Sequence, residues 1–150
     1  MPQLLVSANL FFAGLLAGLE FLVRFGVRGP MASLAELPQL QLRQALVHRM
    51  RGLVATVFLL TIVSSIAVTV LTHAEPGFGY RCAGVLAILA WAVTTFTGTV
   101  PINSAIITWQ VDAPPADWRT LIARWERLDT VRTVAALLVF ALFLTAEALN

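Results

Sequence analysis

Four long apolar runs set the limits on what this chain can become. They extend from about Leu4 to Val23, Leu53 to Leu71, Cys82 to Val100 and Val134 to Ala146. The first three approach the roughly 20 residues that a helix needs to cross the hydrocarbon core of a bilayer. The fourth is short, so its helix is predicted to begin earlier, near Pro115, carrying Asp129 and Arg132 into the interfacial zone. Only 12% of the 150 residues are charged, where a soluble domain carries about twice that share. A mean hydropathy of +0.84 agrees. The expected architecture is all-α: an antiparallel four-helix transmembrane bundle forming a single domain. Its spans lie at about 4–25, 50–72, 81–100 and 128–148, with an amphipathic cytoplasmic extension before helices 2 and 4.

Charge placement orients the bundle. All ten basic residues are arginine. Nine fall on two connecting segments: Arg24, Arg28, Arg43, Arg49 and Arg51 on the first, Arg119, Arg124, Arg127 and Arg132 on the other. Arg81 stands alone near the short turn between the second and third runs. An even number of spans puts both arginine-rich segments on one face, and the positive-inside rule makes that face cytoplasmic with both termini outside. The net charge of +2 therefore reflects topology and gives no support to nucleic-acid binding. The N-terminus has no basic region ahead of an apolar stretch too long for a signal peptide, so it reads as a retained first helix. One cysteine, Cys82, excludes an internal disulfide and argues against a zinc cluster.

Punctuation divides the runs. Gly29-Pro30 is expected to break the first helix. Pro38 opens a second helical stretch, amphipathic from Gln39 to Met50, that continues into the second span. Pro76-Gly77 with Gly79 marks a tight turn. Pro101 is expected to end or kink the third helix, and Pro114-Pro115 to stop one segment and open the last.

Polar residues inside such a bundle carry most of the functional information, because they are expensive there without partners. Glu20 is the one carboxylate well inside an apolar run. Arg24 follows at i+4 in the favourable orientation, which suggests a local ion pair. Asn9, Ala13, Leu16, Glu20 and Arg24 share a stripe that should face the interior. Gly14 and Gly18 form a GxxxG pattern suited to close helix packing, within the bundle or between two copies. Gln41, Gln44, His48 and Arg51 share a helical face. That face is either solvated or places His48 at the bundle mouth as a proton acceptor. His73 falls in the outer turn and reads as solvated. Thr94, Thr95, Thr97 and Thr99 either bond back to their own helix or line a polar cavity above Asn103. Trp118, Leu121, Trp125, Leu128 and Arg132 recur at spacings of three and four, one mostly apolar helical face. Arg119, Ala123, Glu126, Arg127 and Thr130 lie opposite. Arg132 is thus carried inward, with Asp129 placed to pair with it. An aromatic belt of interfacial residues would use the same pattern.

No metalloprotease, phosphate-loop or nucleophile-elbow motif is present. Two histidines on opposite faces cannot share a metal. No cofactor is evident, and a heme held by His48, or another metal, stays open.

Ala13-Gly-Leu-Leu-Ala-Gly-Leu19, Val100-Pro-Ile-Asn103, Trp109, Asp117-Trp118 and Arg124-Trp125-Glu-Arg-Leu-Asp-Thr-Val-Arg-Thr133 together resemble the anthrone-oxygenase-like family of small membrane proteins. The specific part is Val100 to Thr133. At Asp129 the chain departs from the family pattern, which has asparagine or histidine there. The resemblance implies oxidation of a hydrophobic anthrone- or phenol-like aromatic by O2, at the cytoplasmic end of the bundle and with no established cofactor. Trp109, Trp118 and Trp125 would then wall the substrate. Asn103 and Arg132 would hold a developing oxyanion, Arg24 would contribute to substrate binding, and His48, Asp129 or Glu20 would serve as base. The partners expected are a lipid bilayer and a hydrophobic aromatic small molecule, with the Gly14/Gly18 face open to a second copy. A non-catalytic binding or accessory protein, whose polar cluster only fixes helix order, is the competing expectation.

Overall fold

The structure is a computed structural model describing residues 2–149. Helix α1 (Pro2–Phe21) runs through a π-helical segment (Leu22–Val27) into α2 (Arg28–Ala32). A short turn leads to α3 (Glu36–Leu71). A second turn leads to α4 (Phe78–Thr94), which passes through another π-helical segment (Thr95–Thr99) into α5 (Val100–Ile106). A loop then precedes α6 (Trp118–Ala148). Among the described residues there is no strand. Four helical rods are long and apolar enough to cross a membrane: Gln3–Ala32, Glu36–Leu71, Phe78–Ile106 and Trp118–Ala148. This is a multi-pass integral membrane protein.

The rods form a ring in which α1 packs on α3 and α6, and α4 packs on α3 and α6. Each neighbour is antiparallel to the next, as short connections require. At about 1.5 Å per residue, the 36 residues of α3 extend well beyond a hydrocarbon core about 30 Å thick. Its first turns and those of α6 are therefore the two amphipathic extensions, each continuous with its span.

Two expected breaks are bridged. Pro30 and Pro101 were expected to stop or kink their helices, yet both rods continue past them. Each proline lies just after a π-helical segment, where Arg28 N–H donates to the Val23 carbonyl and Val100 N–H to the Thr95 carbonyl. These i to i−5 bonds insert an extra residue into the turn. The widened turn absorbs the clash that a proline ring makes with the carbonyl four residues back. The last helix begins at Trp118, three residues after the expected Pro115, because the Pro115 carbonyl is taken by a turn bond from Trp118 N–H at 3.0 Å.

The core divides in two. Ala13, Leu16, Phe58, Val68, Ile88, Trp91, Val139 and Phe143 fill the middle of the bundle, with Phe58 stacked on Trp91 at 4.7 Å. Leu40, Ile102, Ile106, Trp118 and Ile122 form a second cluster beneath the loop before α6. Gln44 fastens that loop by donating to the Ile106 and Trp109 carbonyls at 2.9 and 2.8 Å.

Candidate functional site

Both π-helical segments pack against α6, and the backbone of neither comes close to α3. The space left between them and α3 is a cavity of about 390 Å³, within the ~300–1,000 Å³ range of small-molecule sites. Leu19, Val23, Val27 and Met31 line it from the first rod. Leu46, Val47, Met50, Val54 and Phe58 line it from α3, Trp91, Phe96 and Val100 from the third rod, and Trp125 from α6. Into this apolar chamber project Arg28, Arg43, Thr95, Thr99, Asn103, Asp129 and Arg132.

Arg132 is the hub. The inward stripe of α6 delivers it to the cavity wall, where it is buried. Its Nη2 donates to the Glu20 carboxylate of α1, and its Nη1 to Thr99 Oγ1 at 3.4 Å. The guanidinium lies 4.7 Å from the centroid of the Trp91 ring, a cation–π contact strengthened by desolvation. Trp91 Nε1 donates to the same Glu20 oxygen at 3.2 Å. Glu20 therefore holds two cavity-wall side chains at once.

Asp129 lies one turn of α6 nearer the arginine-rich end. It is 1% exposed, and neither carboxylate oxygen has a hydrogen-bond partner. The positive charges of Arg132, Arg24 and Arg28 act on it. Arg43, also buried, lies 5.3 Å from the Trp125 ring and 3.8 Å from Glu126, which pairs with Arg28 as well. Further buried polar atoms around the chamber have no hydrogen-bond partner: Arg43 Nε, Thr95 Oγ1, Asn103 Oδ1, Trp125 Nε1 and Arg132 Nε. Six cavity-lining residues thus present unsatisfied donors or acceptors to one space. Each such atom costs about 1–3 kcal/mol if nothing meets it.

The profile of the anthrone oxygenase family matches residues 40–142. This chain belongs to that family. The matched segment carries Arg43, Trp91, Asn103, Trp125, Asp129 and Arg132, while Glu20 and the π segment of the first rod lie outside it. No curated protein and no solved structure matches the chain.

Of the residues singled out from sequence, Asn103, Trp125, Asp129 and Arg132 line the cavity, with Glu20 directly behind Arg132. The expected ion pairs are redistributed. Glu20 pairs with Arg132 across helices, and Arg24 donates to Thr130 Oγ1 at 2.5 Å. Asp129 is left without the hydrogen bond expected from Arg132. His48 is exposed and outside the lining, as is His73. Trp109 and Trp118 pack in the second apolar cluster. Thr94 and Thr97 bond back to the Ala90 and Val93 carbonyls, while Thr95 and Thr99 face the chamber, Thr99 also donating back to the Thr95 carbonyl at 3.3 Å. Among the described residues no group of three or more His, Cys, Asp or Glu is placed to hold a metal.

Two contributors were missed in the sequence, Arg43 and Trp91. Leu40, Arg43, Val47, Met50 and Val54 share a helical face with spacings of three and four, so Arg43 sits on an apolar stripe as Arg132 does. Trp91 stands far from either end of its apolar run, where an indole N–H needs a buried acceptor.

Proposed function

We propose that this protein oxidises an electron-rich anthrone- or phenol-type aromatic with O2 in the cavity beside Asp129. The observation that carries the reading is that carboxylate. It is buried in an aromatic chamber, both its oxygens lack hydrogen bonds, and guanidinium and indole donors stand around it. A polycyclic ketone with an acidic ring methylene is the complementary ligand: flat, apolar and polar at its oxygen. The sidedness follows from the arginine distribution, with this end of a single-domain bundle in the cytoplasm and both termini outside.

Asp129 takes one proton from the ring methylene, breaking that C–H bond as general base. The electron pair spreads over the rings onto the ketone oxygen. Arg132 Nε, Arg43 Nε and the Trp125 indole N–H stabilise that oxyanion in a site of low dielectric. The carbanion passes one electron to O2, and the resulting carbon radical and superoxide join through a new C–O bond. The peroxide gains the proton from Asp129, then loses water as its O–O bond and the second ring C–H bond break. The balance is anthrone plus O2 giving anthraquinone plus water.

The test is oxygen uptake by the purified protein in lipid nanodiscs supplied with anthrone. The expected result is one O2 consumed and one quinone formed per anthrone, above the rate in empty discs. Anthrone binding without oxygen uptake would favour the binding-protein alternative. Absence of both binding and uptake would overturn the assignment.

A further inference from the structure

We infer that substrate reaches the cavity sideways from the bilayer, through the seam between α3 and the second π-helical segment, with Phe96 as its movable leaf. This deepens the reading above by naming the route of a lipid-dissolved aromatic, and its test reads access apart from turnover.

Three observations place the portal. Phe96 and Val100 line the cavity and are nevertheless 60% and 41% exposed. Both lie within the candidate span Phe78–Ile106, so their exposed surface faces lipid. A residue that borders both an interior chamber and the lipid marks a gap in the wall. Across the seam, Ala55 of α3 also lines the cavity and is exposed, so the opposite jamb carries only a methyl group. Finally, the second π segment packs on α6, while its backbone stays away from α3, which it meets through the Phe96 ring against Phe58. Elsewhere α3 and α4 close against each other. The seam therefore parts where the π turn draws the third rod toward α6.

Phe96 is built to swing. Its ring meets Phe58 edge-on at 6.1 Å, and Phe58 in turn stacks on Trp91. More than half of Phe96 is exposed, so little packing opposes a change between its staggered rotamers. The chemistry of the chamber suits such a route. Its lining is mostly apolar from end to end, with Arg28, Arg43 and Arg132 set among those side chains. A flat aromatic sliding in from lipid would keep its rings in apolar surroundings until its oxygen met Arg43 and Arg132.

The test uses thiol labelling in proteoliposomes. Val54, half-buried in the cavity wall, is replaced by cysteine in a Cys82→Ala background. A pyrene maleimide dissolved in the lipid and a trimethylammonium methanethiosulfonate added to the water compete for it. We expect the lipid-borne reagent to label at least tenfold faster relative to its rate with an exposed lipid-facing control, Leu86→Cys, than the charged one does relative to Arg124→Cys. Ala55→Trp should slow the maleimide about tenfold, and Phe96→Ala should speed it severalfold, so the two variants err in opposite directions. Efficient labelling by the charged reagent, with neither variant changing the maleimide rate, would show access from water and overturn the portal. If the protein turns over anthrone, Ala55→Trp should lower kcat/KM about tenfold with kcat little changed. Absence of turnover would count against the oxygenase assignment and leave the labelling result to decide the portal.

Discussion

The two ends of the bundle treat buried polar groups in opposite ways. At the end bearing the Thr72–Gly77 turn, Arg81 is 1% exposed and is clamped by Glu75 at 2.8 Å and Glu147 at 3.5 Å. Deeper in that half, Asn9 donates to Ser64 and Ser65 at 3.1 and 2.8 Å. The packing is as tight as the pairing: a methyl added to Gly77 would lie 2.4 Å from the Ala146 carbonyl oxygen. At the arginine-rich end, six residues direct unsatisfied polar atoms into a chamber. One half has closed most of its polar groups against each other, leaving Asn9 Oδ1 without a hydrogen bond and Arg81 Nη2 held by ion pairs alone. The other keeps its polar groups turned toward a space. That difference is the ground for assigning the function proposed above to the arginine-rich end, and it is open to attack by mutation.

The largest stability effect is expected at the join between the halves. Arg132→Ala strands the buried Glu20 carboxylate and should cost about 3–5 kcal/mol, read as a lower denaturation midpoint in detergent. Glu20→Leu with Arg132→Met should recover much of that stability and still leave the protein inactive. Recovery of activity would show the pair to be merely structural. Gly77→Ala comes next. It overpacks the tight end and should cost about 1–3 kcal/mol, with the turnover of each folded molecule unchanged. Asn9→Ala should cost about 0.6–1.7 kcal/mol, the range of single interhelical hydrogen bonds in membranes, again without touching turnover. Gly18→Ala should fall within about 0.5 kcal/mol of zero, because nothing lies within 4 Å of an added methyl there. Gly14 differs: its added methyl would meet Phe140 of α6 at 3.3 Å, so the GxxxG pattern is used inside the bundle at one glycine only. A loss of activity from Asn9→Ala or Gly77→Ala at full folding would erase the contrast between the ends.

The architecture was legible because it rests on local quantities. Run length gives the spans, and a spacing of three and four puts Arg132 on the inward face of α6. The site was legible only in part, for physical reasons that differ by residue. Glu20 and Arg24 have ideal spacing for a local pair, but spacing on one helix says nothing about a guanidinium arriving from another. Arg132 reaches Glu20 from α6, and Arg24 turns to Thr130. His48 and Arg43 lie on adjacent faces of the same amphipathic stretch. Attention to a titratable histidine favoured the wet face, whereas the apolar stripe bearing one arginine was the buried one. The π-helical segments shift the register by a residue at Pro30 and Pro101, which a fixed helical period does not anticipate. That shift turns Thr95 and Thr99 into the chamber, and it opens the chamber by drawing two rods toward α6.

The most direct measurement is oxygen uptake with anthrone by Asp129→Asn, compared with wild type at equal folded protein. The side chain accepts no hydrogen bond, so its replacement should leave the denaturation midpoint little changed. Removal of a general base predicts a fall in kcat of at least about 10²-fold with anthrone still bound. An undiminished rate in the folded variant would contradict the account.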